Sequence, residues 1–446
     1  MRKKMLALCA AVLLAGTAGA QAQTAATASR VTYVQAGALL DRPGSRPRGP
    51  STIIIRDGKI AEVRDGLVSP EAGATLVDLK DRFVLPGLID MHVHLYHEGD
   101  PLKTRLESSS RDYEDEVIIA ARHARITLES GFTTVRDLGG EARGIASLRD
   151  AINAGDLPGP TIVPAGEMIS VSGGHGDANG LNRDFYEAAH QHQTNVCDGA
   201  DDCRRAVRAQ IRNGAEVIKF AATGGVLSNV SGGLGRQMTP DEMKAIVETA
   251  HSFGRKATAH AHAKEGIESA LDAGVDSIEH GSFADDQTMK LFKAKGAYLV
   301  PTMIAPVTAL RNARAGALPQ ATIAKAEAAG AAAAKAHALA VRSGVKIAFG
   351  TDTGVSKHGT NAQEFSLMLQ AGMTADQAIR AATLDAADLL GRADRLGSIE
   401  VGKDADIIAV AGSPLEDVRR LETVDFVMRH GVVHKQAGKR QPFPAD

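Results

Sequence analysis

The sequence predicts an α/β fold, a TIM (β/α)8 barrel with a small β-sandwich domain built from both chain ends. Between residues 86 and 391, short apolar segments alternate with segments of helix length, which is the pattern of a parallel sheet. Both chain ends instead contain short strands separated by turn residues. A barrel commonly needs about 250 residues, so the chain is long enough for a barrel and one smaller domain.

Residues 1–22 have the features of a secretory signal peptide. A basic start at Arg2, Lys3 and Lys4 precedes an apolar stretch and the small residues that end at Ala22. A retained membrane anchor is the alternative, but an anchor needs about 20 apolar residues. This stretch is shorter, so we expect no stable anchor. We predict an exported protein, either periplasmic or secreted.

The predicted domain boundaries follow the changes in pattern. We place the signal peptide at 1–22, the N-terminal part of the β-sandwich at 23–86, the barrel at 87–394 and the C-terminal part of the sandwich at 395–446. The turn Asp57-Gly58 favours a hairpin between the strands at 51–56 and 59–63. Strands of the same type are predicted near the C-terminus, at 405–410 and 424–428.

Eight apolar segments of strand length lie in the barrel region, and eight is the number that closes a TIM barrel. They span residues 88–94, 133–137, 161–166, 216–221, 256–262, 277–281, 298–303 and 346–352. Helices are predicted between them, among others at 112–130, 241–253, 264–273 and the alanine-rich 320–343. Thr374 and Gln377 have the spacing of a capping box at the start of the last helix.

Composition narrows the class of partner. The formal net charge is −2 with both signs interspersed, which gives neither the basic surface of a nucleic-acid-binding protein nor a polybasic membrane patch. Aromatic residues make up 4% of the chain and tryptophan is absent, so stacking platforms for bases or sugars are not expected. We therefore predict a small-molecule partner and no nucleic acid.

Cys197 and Cys203 are the two cysteines that remain after removal of the signal peptide. In an oxidising compartment, a pair this close in sequence can form a disulfide that closes a small loop. Two free thiols are the alternative. No Cys-x-x-Cys or Cys-His cluster accompanies the pair, so neither cysteine is expected to bind a metal ion.

Two histidines end the first predicted barrel strand. His92 and His94 are spaced i, i+2, so on a β-strand both imidazoles point to one face. Two converging neutral imidazoles can bind a divalent metal ion. The alternative for such a pair alone is that one histidine packs in the core and the other is exposed.

Further residues of ligand type lie at the ends of other predicted strands. They are Lys219, His260, His262, His280 and Asp352. The C-terminal ends of barrel strands face one active site, so this distribution favours a metal site over separate structural roles. We expect two divalent metal ions. Zinc suits these ligands best, and manganese, iron and cobalt remain alternatives.

The lysine in this set needs its own explanation, because an ammonium group repels metal ions and has no lone pair. Burial and neighbouring metals favour the neutral amine of Lys219, which can add carbon dioxide to form a carbamate. This anionic carbamate can bridge two metal ions and leave the site with a net positive charge that polarises a carbonyl. The alternative is an ordinary lysine beside a single metal ion.

The segment 86–94, with the sequence Pro-Gly-Leu-Ile-Asp-Met-His-Val-His, resembles the binuclear-metal branch of the amidohydrolase superfamily. Lys219, His260, His280 and Asp352 extend the resemblance over nearly the whole mature chain. Within that branch the chain is similar to the imidazolonepropionase-related group, which includes Xaa-Pro and Xaa-Arg/Lys dipeptidases and bacterial ochratoxin-hydrolysing amidohydrolases. The ligand set is specific for the superfamily and much less specific for the substrate.

The resemblance implies a role for each ligand. His92, His94 and Asp352 would hold the more buried metal ion, His260 and His280 the more exposed one, and carbamylated Lys219 would bridge them. A metal-bridging hydroxide would attack the scissile carbonyl, and Asp352 would carry its proton to the leaving amine. His175, in a glycine-rich loop, resembles the catalytic histidine that polarises the carbonyl. Its alternative is an exposed loop residue without a role.

Three other residues are candidate substrate contacts. His262 lies on the same strand face as His260, and we expect it to contact substrate or support a ligand rather than bind metal. Tyr96 follows the two histidines, and Ser228 belongs to the loop after Lys219. For Tyr96 and Ser228, a loop position without a role is an equally good interpretation.

The predicted function is hydrolysis of the amide bond of dipeptides or N-acyl amino acids, with a carboxypeptidase-like preference and ochratoxin-type substrates included. One alternative is a cyclic amide or lactone hydrolase of the same superfamily, since the same hydroxide serves both reactions. An alternative of another class is a non-catalytic binding protein on a barrel scaffold, which predicts missing metal ligands. We also expect a homo-oligomer.

Overall fold

The structure is a computed structural model of the chain. It describes residues 31–99, 110–179, 193–226, 233–314 and 320–443, together with residues 103, 106, 107, 182, 184, 187 and 228. The predicted signal peptide at 1–22 lies outside the described residues.

Strands are numbered in chain order. They are β1 (Val31–Leu39), β2 (Ser51–Arg56), β3 (Lys59–Asp65), β4 (Thr75–Pro86), β5 (Leu88–Val93), β6 (Phe132–Asp137), β7 (Thr161–Pro164), β8 (Val217–Ala221), β9 (Lys256–Ala261), β10 (Ser277–His280), β11 (Tyr298–Val300), β12 (Lys346–Ile347), β13 (Ile407–Val410), β14 (Phe426–Arg429), β15 (Val432–Gln436) and β16 (Lys439–Arg440).

The described α-helices are numbered in the same way. They are α1 (Tyr113–Glu129), α2 (Ala142–Ala154), α3 (Ala200–Arg212), α4 (Pro240–Ser252), α5 (Lys264–Ala273), α6 (Asp286–Lys295), α7 (Ile304–Arg314), α8 (Gln320–Ser343), α9 (Gln363–Gln370), α10 (Ala375–Ala381) and α11 (Leu384–Leu389). A 3₁₀ helix follows at Val418–Glu422. None of these helices combines the length and the apolar character that crossing a membrane requires.

Both chain ends contribute to one eight-stranded sheet. Its strand order is β16-β15-β14-β13-β4-β1-β2-β3, and the two ends meet where β13 pairs antiparallel with β4. Side chains alternate between the two faces of a strand, so Ala409 and Phe426 pack in the sheet's own core while Ile408 and Val427 join the main core. The ends pair as expected, but the described strands form one continuous sheet rather than two separate ones.

The strands β5 to β12 are the eight predicted parallel strands, and all of them form. They are arranged as a three-stranded sheet, β5-β6-β7, and a five-stranded sheet, β12-β11-β10-β9-β8. Hydrogen bonds join the two sheets through the segments that follow β7 and β12, from Ala221 N to Ile169 O at 2.9 Å and from Asp352 N to His92 O at 2.7 Å. This pairing places the C-terminal ends of the eight strands around one space.

The predicted helices form close to their expected limits, and local sequence explains where they begin. Helix α5 has the predicted bounds, and α4 begins with a capping box between Thr239 and Glu242. The predicted capping box of α10 is also present, because the Thr374 hydroxyl accepts a hydrogen bond from Gln377 N while the Gln377 side chain accepts one from Thr374 N. The alanine-rich segment forms the long helix α8, as its composition predicts.

Candidate active site

A cavity of about 840 Å³ lies at the C-terminal ends of the parallel strands. Most of the predicted site residues line it, and they are His92, His94, Tyr96, His175, Lys219, His260, His262, His280 and Asp352. This volume is near the upper end of the range, about 300–1,000 Å³, that is usual for small-molecule sites. The topology therefore brings residues separated by up to 260 positions in sequence to one site.

The first two histidines direct the same ring nitrogen toward one carboxylate. His92 Nδ1 is 2.8 Å from Glu279 Oε2, and His94 Nδ1 is 3.1 Å from the carbonyl oxygen of Gly139. Their Nε2 atoms lie 3.5 and 3.2 Å from Asp352 Oδ1. In each ring, Nδ1 donates its hydrogen to a neighbouring oxygen. Nε2 of both rings therefore keeps its lone pair for a cation.

The tautomer of His280 is fixed in the same way. His280 Nδ1 is 2.7 Å from the Thr302 hydroxyl, which itself donates to the carbonyl oxygen of Pro301 at 2.7 Å. The hydroxyl can then only accept from Nδ1–H, so the lone pair of His280 is on Nε2. His280, Thr302 and Asp352 all have positive φ angles, of 71°, 51° and 56°, which is uncommon for residues other than glycine.

Two charged residues complete the centre of the cavity. Lys219 is 2% exposed, and burial lowers the pKa of its amine to about 8, although Glu279 and Asp352 oppose that shift. Burial raises the pKa of Asp352, but the adjacent His92 and His94 outweigh this effect and bring it to about 2. The site thus contains an amine that loses its proton more readily than usual and a stable carboxylate.

The donor set fits divalent metal ions. His92, His280 and Asp352 form one group of buried ligand atoms within 4.8 Å of one another, and His260, His262 and His280 form a second. His260 Nε2 is buried and has no hydrogen-bond partner among the described residues. An unpaired buried nitrogen is costly, and coordination of a metal ion would satisfy it.

His175 packs against the second group of ligand atoms, and His262 belongs to that group. The ring of His175 is 4.3 Å from the ring of His260, measured between centroids, and Gly225 allows this position because a Cβ there would overlap the His175 ring. Burial lowers the pKa of His175 to about 4, so the ring is neutral at pH 7. His262 Nδ1 is 2.8 Å from the Ser282 hydroxyl, and its ring stacks on His280.

Tyr96 and Ser228 differ in their relation to the cavity. Tyr96 lines it, but its hydroxyl donates to the carbonyl oxygen of Glu141 at 3.2 Å. Ser228 is not among the lining residues. Its hydroxyl is used inside the loop, where it donates to Gly225 O at 3.0 Å and accepts from Gly225 N at 3.2 Å. The structure thus shows the Ser228 hydroxyl bonded within its own loop, and a direct substrate contact by Ser228 stays a prediction.

A buried ion pair beneath the histidines was not predicted as part of the site. Glu279 is fully buried, and its Oε1 accepts hydrogen bonds from Arg136 Nη2 at 2.7 Å and from Thr258 Oγ1 at 2.5 Å. Burial alone would raise the pKa of Glu279, but Arg136 and His92 hold it well below its usual range. A charged residue within a predicted apolar strand is the sequence signal that could have identified Glu279 and Arg136.

Asp90 joins the first and last strands of the site. Its Oδ1 accepts from His92 N and Thr351 N, both at 3.1 Å, and its Oδ2 accepts from Thr351 Oγ1 at 2.7 Å and from Asn361 Nδ2 at 2.8 Å. These four bonds fix the backbone next to the two ligands His92 and Asp352. The aspartate thus positions ligands without lining the cavity.

The cysteine pair lies close to the loop that contains His175. Cys197 and Cys203 form a disulfide with an S–S distance of 2.07 Å. Cys197 N donates to Ser170 O, and Cys203 is in the first turn of α3. The disulfide therefore connects the strand-like segment beside Ser170 to a helix.

Comparison with known proteins agrees with this site. The sequence matches the amidohydrolase family over residues 83–435. It is 33% identical to ochratoxinase from Aspergillus niger over 430 residues, which cover 92% of this chain and 88% of that protein.

Solved structures are similar over the same extent. A Xaa-Pro dipeptidase with methionine bound in its active site has a TM-score of 0.85 and 40% identity, covering 91% of this chain and all of that one. The crystal structure of A. niger ochratoxinase has a TM-score of 0.81 and 31% identity, covering 92% of this chain and 96% of that one.

The chain belongs to the amidohydrolase family. It is a metal-dependent hydrolase that acts on amide bonds.

Proposed function

We propose that the protein uses two metal ions to hydrolyse the amide bond of dipeptides or N-acyl amino acids, ochratoxin-type substrates included. The observation that carries this proposal is the convergence on one cavity of His92, His94, Lys219, His260, His280 and Asp352. The similarity to an ochratoxinase and to a Xaa-Pro dipeptidase supports the substrate class.

The proposed ligand roles are those that the family resemblance implies, and the proximity of the buried ligand atoms supports them. We assign one ion to His92, His94 and Asp352, the second to His260 and His280, and a bridge between them to a carbamate on Lys219. Zinc is the proposed metal, because neutral imidazoles and a carboxylate suit it. When bound, the two ions would supply Lewis acidity, which polarises the amide carbonyl and lowers the pKa of water.

Two residues are proposed to act directly on the reacting groups. Asp352 is a carboxylate at neutral pH because its pKa is lowered to about 2, so it can accept a proton from the attacking water and pass it to the leaving amine. The neutral ring of His175 has a buried Nδ1 without a partner among the described residues, which supports its proposed hydrogen bond to the amide carbonyl. His262 and the ring of Tyr96 are proposed to contact the rest of the substrate.

The architecture is proposed as a TIM barrel at 87–394. The hydrogen bonds of β8 and β5 to the segments that follow β7 and β12 support its closure. The sheet of both chain ends would be the second domain, with its own core. Export and homo-oligomerisation remain part of the proposal. The disulfide between Cys197 and Cys203 supports export, because such bonds persist in oxidising compartments.

A substrate panel tests the proposed function. The purified zinc-loaded protein is incubated with an Ala-Pro dipeptide, N-acetyl-phenylalanine, a cyclic amide and a lactone, and the products are identified by mass spectrometry. We expect two free amino acids per cleaved Ala-Pro molecule and one per cleaved N-acetyl-phenylalanine, and loss of this activity in His92→Ala. Cleavage of only the cyclic amide or the lactone would contradict the proposed substrate class.

A further inference from the structure

One wall of the cavity is built by the helices α7 and α8, which lie between β11 and β12. The side chains that this wall presents to the cavity include four alanines, Ala305 and Ala309 on α7 and Ala329 and Ala333 on α8. All four are buried, with exposures of 2% to 6%. In each helix the two alanines are spaced i, i+4, so they form one face of that helix.

Two hydrogen bonds connect α8 to other segments near the cavity. Lys325, one turn before Ala329, donates from Nζ to the carbonyl oxygen of Ser228 at 2.7 Å. His337, one turn after Ala333, donates from Nε2 to the carbonyl oxygen of His280 at 2.6 Å. The helix is thus held at one end by the loop after β8 and at the other by the backbone of a proposed metal ligand.

This arrangement determines the width of the cavity. Both contacts oppose an inward shift of α8 into the space that its alanine side chains leave open. The same cavity is lined by His260, which is 6% exposed and has an Nε2 without a partner among the described residues. Larger side chains at the four alanines would occupy this space directly.

We propose that the alanine face of α7 and α8 is a subsite for a bulky apolar substituent of the amide substrate, and that Ala309 and Ala333 determine this specificity. The inference rests on the proposed amide hydrolysis and adds the size and polarity of one substituent. The chemistry is burial of apolar surface, which favours an aromatic or branched group over a polar one. The cavity volume of about 840 Å³ accommodates a substrate larger than a small dipeptide.

The test replaces alanines on the two faces of the same helix. Ala309→Leu and Ala333→Leu fill the cavity, whereas Ala334→Leu is the matched control, because Ala334 is exposed on the outer side of α8. Ala333→Val is a smaller change that keeps the test possible if a leucine prevents folding. Thermal unfolding and metal content of every variant are measured first, so that only folded, metal-loaded proteins are compared.

The substrates differ in one substituent at a time, and they are N-acetylglycine, N-(2-naphthoyl)glycine and N-acetyl-phenylalanine. We expect the cavity variants to lower kcat/KM by about tenfold or more for at least one bulky substrate, relative to N-acetylglycine. Ala334→Leu should leave all three values within about twofold. Equal losses for all three substrates, or no loss for either bulky one, would overturn the subsite.

Binding separates this inference from the reaction. Calorimetric titration with 2-naphthoic acid measures the subsite even if no substrate is cleaved, and we expect weaker binding to Ala333→Leu than to Ala334→Leu by about tenfold. Absence of hydrolysis in the unmodified protein would contradict the proposed function alone. Equal binding of 2-naphthoic acid by the two variants would contradict the alanine subsite.

Discussion

At the scale of single residues, hydrogen bonds decide which atom each histidine offers to a metal ion. Glu279 binds Nδ1 of His92, and Thr302 binds Nδ1 of His280, so both rings keep Nε2 free. A carboxylate that accepts from a ligand histidine also increases the basicity of the ring. The residues beneath the ligands are therefore expected to control metal affinity without contacting the ion.

Replacement of Glu279 by glutamine tests this control. Both carboxylate oxygens of Glu279 accept hydrogen bonds, and an amide retains only one acceptor, so Glu279→Gln must lose the contact to His92 or to Arg136. We expect the metal affinity to fall by about 10- to 100-fold, measured by competition with a chelator. Ser282→Ala is the control, because Ser282 supports His262, which is not a proposed ligand. Equal affinities of the two variants would refute the role of Glu279.

Lys219 provides the second prediction at this scale. A carbamate requires the neutral amine, and burial brings the pKa of Lys219 down to about 8. Metal loading of the metal-free protein should therefore need bicarbonate and should increase as the pH rises from 6 to 8. Lys219→Ala should lose metal and activity together, and short carboxylic acids should restore part of both. Two metal ions per chain in Lys219→Ala, measured by elemental analysis, would exclude the bridge.

Substitutions of Asp352 and His175 are expected to have different effects on turnover and metal content. Asp352→Asn removes both a ligand and a proton carrier, so turnover should fall by at least about 10²-fold. His175→Ala should lower turnover but retain the metal, because the proposed partner of His175 is the substrate carbonyl. Turnover and metal content are measured on the same preparations. Loss of metal from His175→Ala would place that residue among the ligands.

The sequence predicted the lining residues of the site better than their supports. His92, His94, Lys219, His280 and Asp352 could be found because each lies in the C-terminal half of a short apolar run, and the C-terminal ends of parallel barrel strands face one site. The contacts of Glu279 depend on how β10 is aligned with its neighbours, and no local pattern specifies that alignment. The bonding of the Ser228 hydroxyl within its own loop could not be predicted for a similar reason, since it depends on how the loop folds.

At the scale of elements, apolar runs located the eight parallel strands. Some of these strands are shorter in the structure than the apolar runs that predicted them. Strand β11 spans Tyr298–Val300 and β12 spans Lys346–Ile347, whereas the apolar runs extend several residues further. The residues beyond these strands turn toward the cavity, as the positive φ angles of Thr302 and Asp352 indicate. Hydrophobicity reports burial and does not distinguish a paired strand from a buried turn.

At this scale, the contribution of the disulfide to stability can be tested directly. Cys197 and Cys203 are six positions apart, so the closed loop is small and the bond should stabilise the folded chain by about 2 kcal/mol. The double variant Cys197→Ser, Cys203→Ser should lower the free energy of unfolding by that amount in denaturant titration. Alkylation of the native protein, followed by mass spectrometry, gives the redox state of the two cysteines. Two alkylated thiols in that protein would show that the bond does not form.

At the scale of the whole molecule, strands from the two ends of the chain form one sheet, and the parallel strands that carry the candidate site lie between them in sequence. Pairing of β4 with β13 joins residues more than 300 positions apart, and this sheet shares core residues with the parallel strands through Leu85 and Ile408. The sequence indicated that both ends form strands, because their turns and alternation are local features. It did not indicate one continuous sheet, since the pairing of strands so far apart in sequence is set by the packing of the complete chain.

The central claim is that catalysis requires two metal ions in one cavity. The direct measurement is a titration of metal-free protein with zinc in the presence of bicarbonate, following hydrolysis of N-acetyl-phenylalanine and bound metal in the same samples. The account predicts negligible activity without metal and a rise in activity that ends at two zinc ions per chain. Full activity in the metal-free protein, or a maximum at one ion per chain with no further change, would contradict it.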